Sequence, residues 1–251
     1  MKRWHKILLA MLLGIAVIAP LLYRMLDRPM PQANHGPAAR QAIQELEDVI
    51  GCQAWQQVGA VAWLFKGQRQ HLWDRKRHFL RTYIEKKTVF LDLDSRKGWV
   101  FEGSRQVDEL DAQVDLKNAW AWFINDSFWL NPFCSLSGPE VVHGLTTDEQ
   151  GRPAILVTFE SGGVTPGDSY LISLGPDGLP VFWRMWVQII PLGGVPTTWS
   201  GWQQQQGVWF STQHQLGPLS LPLEIKAASD LAELTQGEDP FADFEVAFRS
   251  P

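Results

Sequence analysis

His71, Asp74 and His78 are the nearest approach to a metal constellation in this chain, because imidazole and carboxylate are ordinary zinc ligands. Their spacing argues against a shared ion. In a continuous strand side chains alternate, so His71 faces away from Asp74 and His78, and the three converge only if the segment is helical or bulged. A surface His-Asp-Arg network is the preferred reading, with no metal site and no cofactor. Nucleophilic chemistry has little to build on: no Gly-x-Ser-x-Gly elbow is present, and neither Cys52 nor Cys134 has a papain-like or redox setting. His143 and His214 could each partner a serine in three dimensions, which leaves an envelope hydrolase as an alternative. Asp92 with Asp94, and Glu160 with Asp168, are possible carboxylate pairs, although solvated turn carboxylates are their ordinary explanation. No catalytic residue is assigned.

Two further features point to binding. The stretch 162–168 concentrates glycine and proline, and Gly163, Thr165 and Asp168 are its candidates for a functional loop; a wide hairpin is the plainer alternative. The chain also holds 13 tryptophans in 251 residues, most of them on segments that read as strands. In residues 180–190, Trp183, Met185 and Val187 share one face, while Phe182, Trp186 and Ile190 share the other. Packing against helices is the default use of such rings. The sharper reading is an aromatic-walled cavity for an apolar ligand, lined by Trp63, Phe65, Trp120, Phe123, Trp183, Met185 and Trp202.

The elements that must position these residues follow from periodicity. Pro37 suits a first helical position, Ile43, Leu46 and Ile50 fall on one face, and Gly51 is placed to end a helix. Period-two patterning then predicts strands over 58–65, 70–74, 78–84, 88–93 and 99–101. A second helix is predicted over 115–127, where Leu116, Ala119, Trp120 and Phe123 keep helical spacing, and Pro132 ends it. Strands follow over 141–146, 153–160, 169–174, 179–190, 198–205, 208–216 and 221–227, separated by glycine-rich turns. The fold class is therefore α+β, mainly β: a strongly curved antiparallel sheet, an open half-barrel, with two or three helices in its concave face.

The N-terminus opens with Lys2, Arg3 and Lys6 before an apolar run over 7–26 interrupted only by Arg24. Roughly 20 apolar residues span a bilayer, so residues 1–28 read as an anchor or a signal segment, with the remainder outside the cytoplasm. Residues 29–36 read as a linker, 37–235 as the β domain, and 236–251 as an acidic tail that Phe241, Phe244 and Phe248 could dock. The implied location is the bacterial inner membrane, single pass, with the domain in the periplasm; cleavage would leave it soluble there. Cys52 and Cys134 then lie in an oxidising compartment, as a bridge worth roughly 4.5 kcal/mol in the chain-entropy model or as two buried thiols. A net charge of -5 with scattered lysine and arginine gives no phosphate-binding patch, so nucleic acid is excluded as a partner.

The order of elements, with helices inserted before Phe128-Trp129-Leu130-Asn131-Pro132-Phe133, resembles the open half-barrel of the bacterial lipoprotein carrier and receptor proteins. The stretches Glu160-Ser161-Gly162-Gly163-Val164-Thr165-Pro166-Gly167-Asp168-Ser169-Tyr170 and Trp183-Arg184-Met185-Trp186 are similar to segments of uncharacterised exported bacterial proteins. The resemblance implies the half-barrel but supplies no activity; the export segment and the aromatic strands point to a membrane-tethered periplasmic protein that cradles a lipid, a lipidated protein or another apolar ligand and performs no bond chemistry. An envelope protein partner, as for a structural assembly subunit, is the further alternative.

Overall fold

The computed structural model describes residues 24, 26–161 and 166–249. The anchor or signal segment expected over residues 1–28 lies almost wholly outside them. Among the described residues no helix is long and apolar enough to cross a membrane.

The architecture is one antiparallel sheet of 14 strands that does not close into a barrel. In chain order the elements are β1 (Asn34–His35), α1 (Pro37–Ile50), α2 (Cys52–Trp55), β2 (Ala60–Phe65), β3 (Arg69–Asp74), β4 (Phe79–Ile84), β5 (Lys87–Asp92), β6 (Gly98–Glu102) and β7 (Arg105–Gln106). There follow α3 (Glu109–Leu130), a 3-10 turn (Phe133–Ser135), β8 (Val141–Thr147), β9 (Pro153–Phe159), β10 (Ser169–Leu174), β11 (Pro180–Trp186), β12 (Val195–Gln205), β13 (Val208–Leu216), β14 (Leu219–Ala228), α4 (Leu231–Thr235) and α5 (Ala242–Arg249). The second meander continues into the first through β14, which pairs with β2 from Leu223↔Phe65 to Ala228↔Ala60. Both open edges end in strands of 2 residues, β1 and β7, which leave little ladder free for another chain.

Residue chemistry explains the boundaries. In α1, Ala39, Ile43, Leu46 and Ile50 form the buried stripe, and Gly51 ends the helix at φ 86°. A Cβ on Gly51 would meet the Gly207 carbonyl oxygen at 2.1 Å, so both backbone angle and close approach require glycine. The second helix is longer than its periodicity predicts, beginning at Glu109 instead of 115. Leu110 and Val114 stay 88% and 68% exposed in its first turns, and the only apolar side chain there turned inward is the small Ala112, four residues before Leu116. Glu109 and Asp111 instead favour the start through the helix dipole. Asn131, before Pro132, takes φ -159° and terminates it. Strand β11 stops at Trp186, short of the predicted 190, because residues 187–190 turn, with the Ile190 amide donating to the Val187 carbonyl.

The sheet is covered on both faces. Val61, Trp63 and Phe65 of β2 join the main core beneath α1 and α3, whereas Ala60 and Ala62 face a second cluster with Phe79, Phe241 and Phe244. A strand apolar on both sides is thus explained by two layers of cover. The acidic C-terminal segment is one of them: Phe241 and Phe244 are buried, and α5 lies against Phe79, Phe90 and Trp99. The stretch read as a linker also crosses the sheet, with Ala33 packed beside Leu156, Leu171 and Trp186.

Candidate functional site: the aromatic interior beneath α3

The face of the sheet under α3 is where the strand tryptophans meet the helix. Trp129 of α3 lies 5.5 Å from Trp183 of β11 and 6.1 Å from Trp199 of β12, ring centre to ring centre. Trp183 and Trp199 are 4.5 Å apart, and Phe133, just past α3, is 4.8 Å from Trp199. Towards the other meander Phe123 of α3 sits 6.2 Å from Trp63 and 5.1 Å from Trp73. These offset and edge-on contacts fill the space where an open cavity is expected. A void of about 10 Å³, walled by Phe128, Phe159, Tyr170, Trp183 and neighbours, has room for no more than a single water.

The expected cavity residues therefore distribute as core. Trp63, Phe65, Phe123, Trp183 and Met185 are buried in one cluster, and only Trp183 touches the residual void. Trp120 is half-buried at the edge, with the Arg96 guanidinium 4.0 Å above its ring. Trp202, also half-buried, donates its indole N–H to the Pro180 carbonyl at 3.1 Å.

Polar atoms inside this apolar mass are the unusual feature. The indole nitrogens of Trp63, Trp73, Trp183 and Trp199 are buried without a protein hydrogen-bond partner. His214 lies among them, 4.3 Å from Trp199 and 5.3 Å from Trp129. Its burial pushes the imidazole pKa down to about 4, offset only in part by the Thr198 and Ser211 backbone. Since most buried polar groups in proteins are paired, such a concentration calls for a cause.

One helix residue anchors the cover. Asp126 is fully buried on the inner face of α3 and accepts from Arg69 through Nε and Nη2 at 2.6 and 2.7 Å. It also accepts from His71 Nε2 at 2.8 Å and from Asn125 Nδ2 at 2.8 Å. Burial alone would raise the Asp126 pKa; the hydrogen bonds from Arg69, His71 and Asn125 more than reverse it, so the carboxyl stays ionised. Burial lowers the His71 pKa despite Asp126, giving a neutral ring that stacks on Trp63 at 4.5 Å. Asp115 adds an outer tie to Lys87 at 2.7 Å, and Arg75, its pKa lowered to about 10 by burial, reaches the carbonyls of Trp55 and Val58 below α2.

The candidate chemistry groups are kept apart. His71 belongs to Asp126; Asp74 accepts from Arg77 Nε at 2.6 Å and caps its own turn; His78 pairs with Asp94 at 2.9 Å on the surface. The His71 network is buried, not superficial, and no three metal-ligating side chains converge among the described residues. His143 bonds the Leu136 carbonyl at 2.6 Å, and no hydrogen bond or ion pair joins His143 or His214 to a carboxylate among the described residues. Gly163 and Thr165 lie outside the described residues, while Asp168 is buried and accepts from the Gln188 amide at 3.0 Å. Cys52 and Cys134 are joined in a disulfide that ties α2 to the turn after α3, their Cα atoms 5.1 Å apart. Sequence reasoning missed Asp126. Its signal is a carboxylate in the register of Ala119 and Phe123, where helical spacing demands an apolar residue.

No protein-family model matches the chain, and no curated protein matches it. Among solved structures it is similar to a putative outer membrane lipoprotein-sorting protein domain from Vibrio parahaemolyticus, with 10% identity and a TM-score of 0.37, over 78% of this chain and 95% of that one.

Proposed function

We propose that the protein is a membrane-tethered binding protein of the bacterial periplasm whose half-barrel takes an apolar chain, from a lipid or a lipidated protein, into the interior beneath α3. The observation that carries this is the set of unpaired polar atoms among the rings. A core serving stability alone gains nothing from indole nitrogens without partners, since each costs about 1–3 kcal/mol in desolvation. The indole N–H groups of Trp183 and Trp199 are donors that an ester or amide carbonyl would satisfy, while the ring faces pack its chain.

Uptake requires the cover to move, because the resting void is small. The disulfide holds the turn after α3 to α2, and Asp126, four residues before the helix ends, latches it to β3. Release of the latch would swing α3 away while the covalent tie keeps it attached. Native mass spectrometry and lipid extraction of the full chain purified from membranes test this. Bound acyl lipid, with higher occupancy in Asp126→Ala, is expected. Absence of bound or bindable lipid from both proteins would sink the reading.

A further inference from the structure

We infer that the rim formed by residues 187–194 and residues 26–30 rests on the lipid bilayer, fixing the domain against the membrane in one orientation; this rests on reading the N-terminal apolar run as a membrane anchor. The run ends at Leu26, and a span of about 20 residues uses all of it, so Leu26 marks the bilayer interface. No slack follows. Asp27 Oδ1 accepts from the Gly193 amide at 2.7 Å, the Arg28 amide donates to the Gly193 carbonyl at 3.0 Å, and the Arg28 carbonyl accepts the Trp186 indole N–H at 2.7 Å. Each residue advances the chain by at most about 3.6 Å, so Gly193 lies within one or two residues' reach of the interface.

Gly193 is built for this strap. A Cβ there would come within 2.7 Å of the Arg28 carbonyl oxygen and 2.8 Å of Trp186 Cδ1. The side chains exposed at the same place suit a lipid surface: Leu26 is 60% exposed, Met30 49% and Ile189 75%, and Arg24 is exposed where a guanidinium can reach headgroups. Exposed aliphatic groups beside the exit of an apolar segment are matched by acyl chains and headgroups, which is why the occupant is a bilayer.

The orientation has a consequence for loading. Phe159 and Tyr170, which wall the residual void, stand at the β9 and β10 ends nearest this rim, where Asp168 bonds the Gln188 amide. An apolar chain leaving the membrane would meet that end first.

Bimane attached at Ile189→Cys reads the contact, with Leu110→Cys, on the 88% exposed side chain near the start of α3, as comparison. The full chain is reconstituted into phosphatidylethanolamine–phosphatidylglycerol vesicles containing doxyl-labelled lipid. Loss of emission at position 189 with emission retained at 110 is expected. Vesicle-bound protein whose emission at 189 persists, or falls equally at both positions, overturns the rim contact alone. A chain that does not float with vesicles overturns the anchor and the rim together, while leaving lipid binding by the interior to its own assay.

Discussion

Asp126 is a fully buried charge whose three partners come from β3 and its own helix. Asp126→Ala strands Arg69 and His71 beneath α3, and removal of one member of a buried pair typically costs about 3–5 kcal/mol. Urea unfolding of the variant should show that loss. Arg69→Met combined with Asp126→Leu should recover part of it, since apolar replacements leave fewer unpaired charges. His214 makes a second prediction at this scale. Its folded pKa of about 4 lies below the unfolded value near 6.5, so the unfolded chain binds more protons between them. Stability is therefore complete above about pH 6.5 and falls as pH drops towards 4, by on the order of 3 kcal/mol. His214→Phe should flatten this stretch of the stability-pH curve. An unchanged slope would mean that other groups set it.

Among elements, α5 shows how a polar-looking segment can be structural. Its acidic residues face solvent or Arg77, whose Nη1 donates to Glu245 at 2.7 Å, while Phe241 and Phe244 turn to the sheet. The Arg77 pKa is raised by Asp239 first, against burial, with Glu245 and Asp74 adding to it. Phe241→Ala empties a fully buried ring site between Phe79 and Phe90 and should cost about 3–5 kcal/mol, measured by chemical denaturation. The value would fall near zero if the segment detached in solution. Helix α3 combines polar ties at Asp115 and Asp126 with an apolar seam that includes Leu116, Ala119, Phe123 and Trp129, and its first turns bear exposed Leu110 and Val114.

For the molecule as a whole, the sheet joins two meanders through β14 and β2, and the disulfide ties residues 82 apart across the helical layer. Closing a loop of that length restricts the unfolded chain by about 4.5 kcal/mol in the chain-entropy model. Cys52→Ser with Cys134→Ser should lower the thermal midpoint accordingly. It should also raise exposure of the aromatic interior to an apolar dye, because α3 loses its covalent tie to α2. A protein that keeps its melting temperature but gains dye binding would show that the bridge restrains the cover and adds little to global stability.

By itself the sequence determined the class and most of the element order, since alternation in β2 to β6 and β8 to β14, and the Pro37-to-Gly51 helix, are local signals of side-chain period and backbone preference. It also identified the rings that dominate the interior: Trp63, Phe123 and Trp183 stand there as their periodicity requires. Only the tertiary structure decided whether those rings enclose a cavity or fill it, because ring-to-ring distances depend on how α3 lies across strands far away in sequence. The same dependence gave His71, which alternation already turns away from Asp74 and His78, to Asp126, 55 residues on. It also bound Asp27 and Arg28 to Gly193 and packed Ala33 on the sheet. Periodicity reports which face a side chain takes; what that face meets is settled by contacts between segments that no local pattern records.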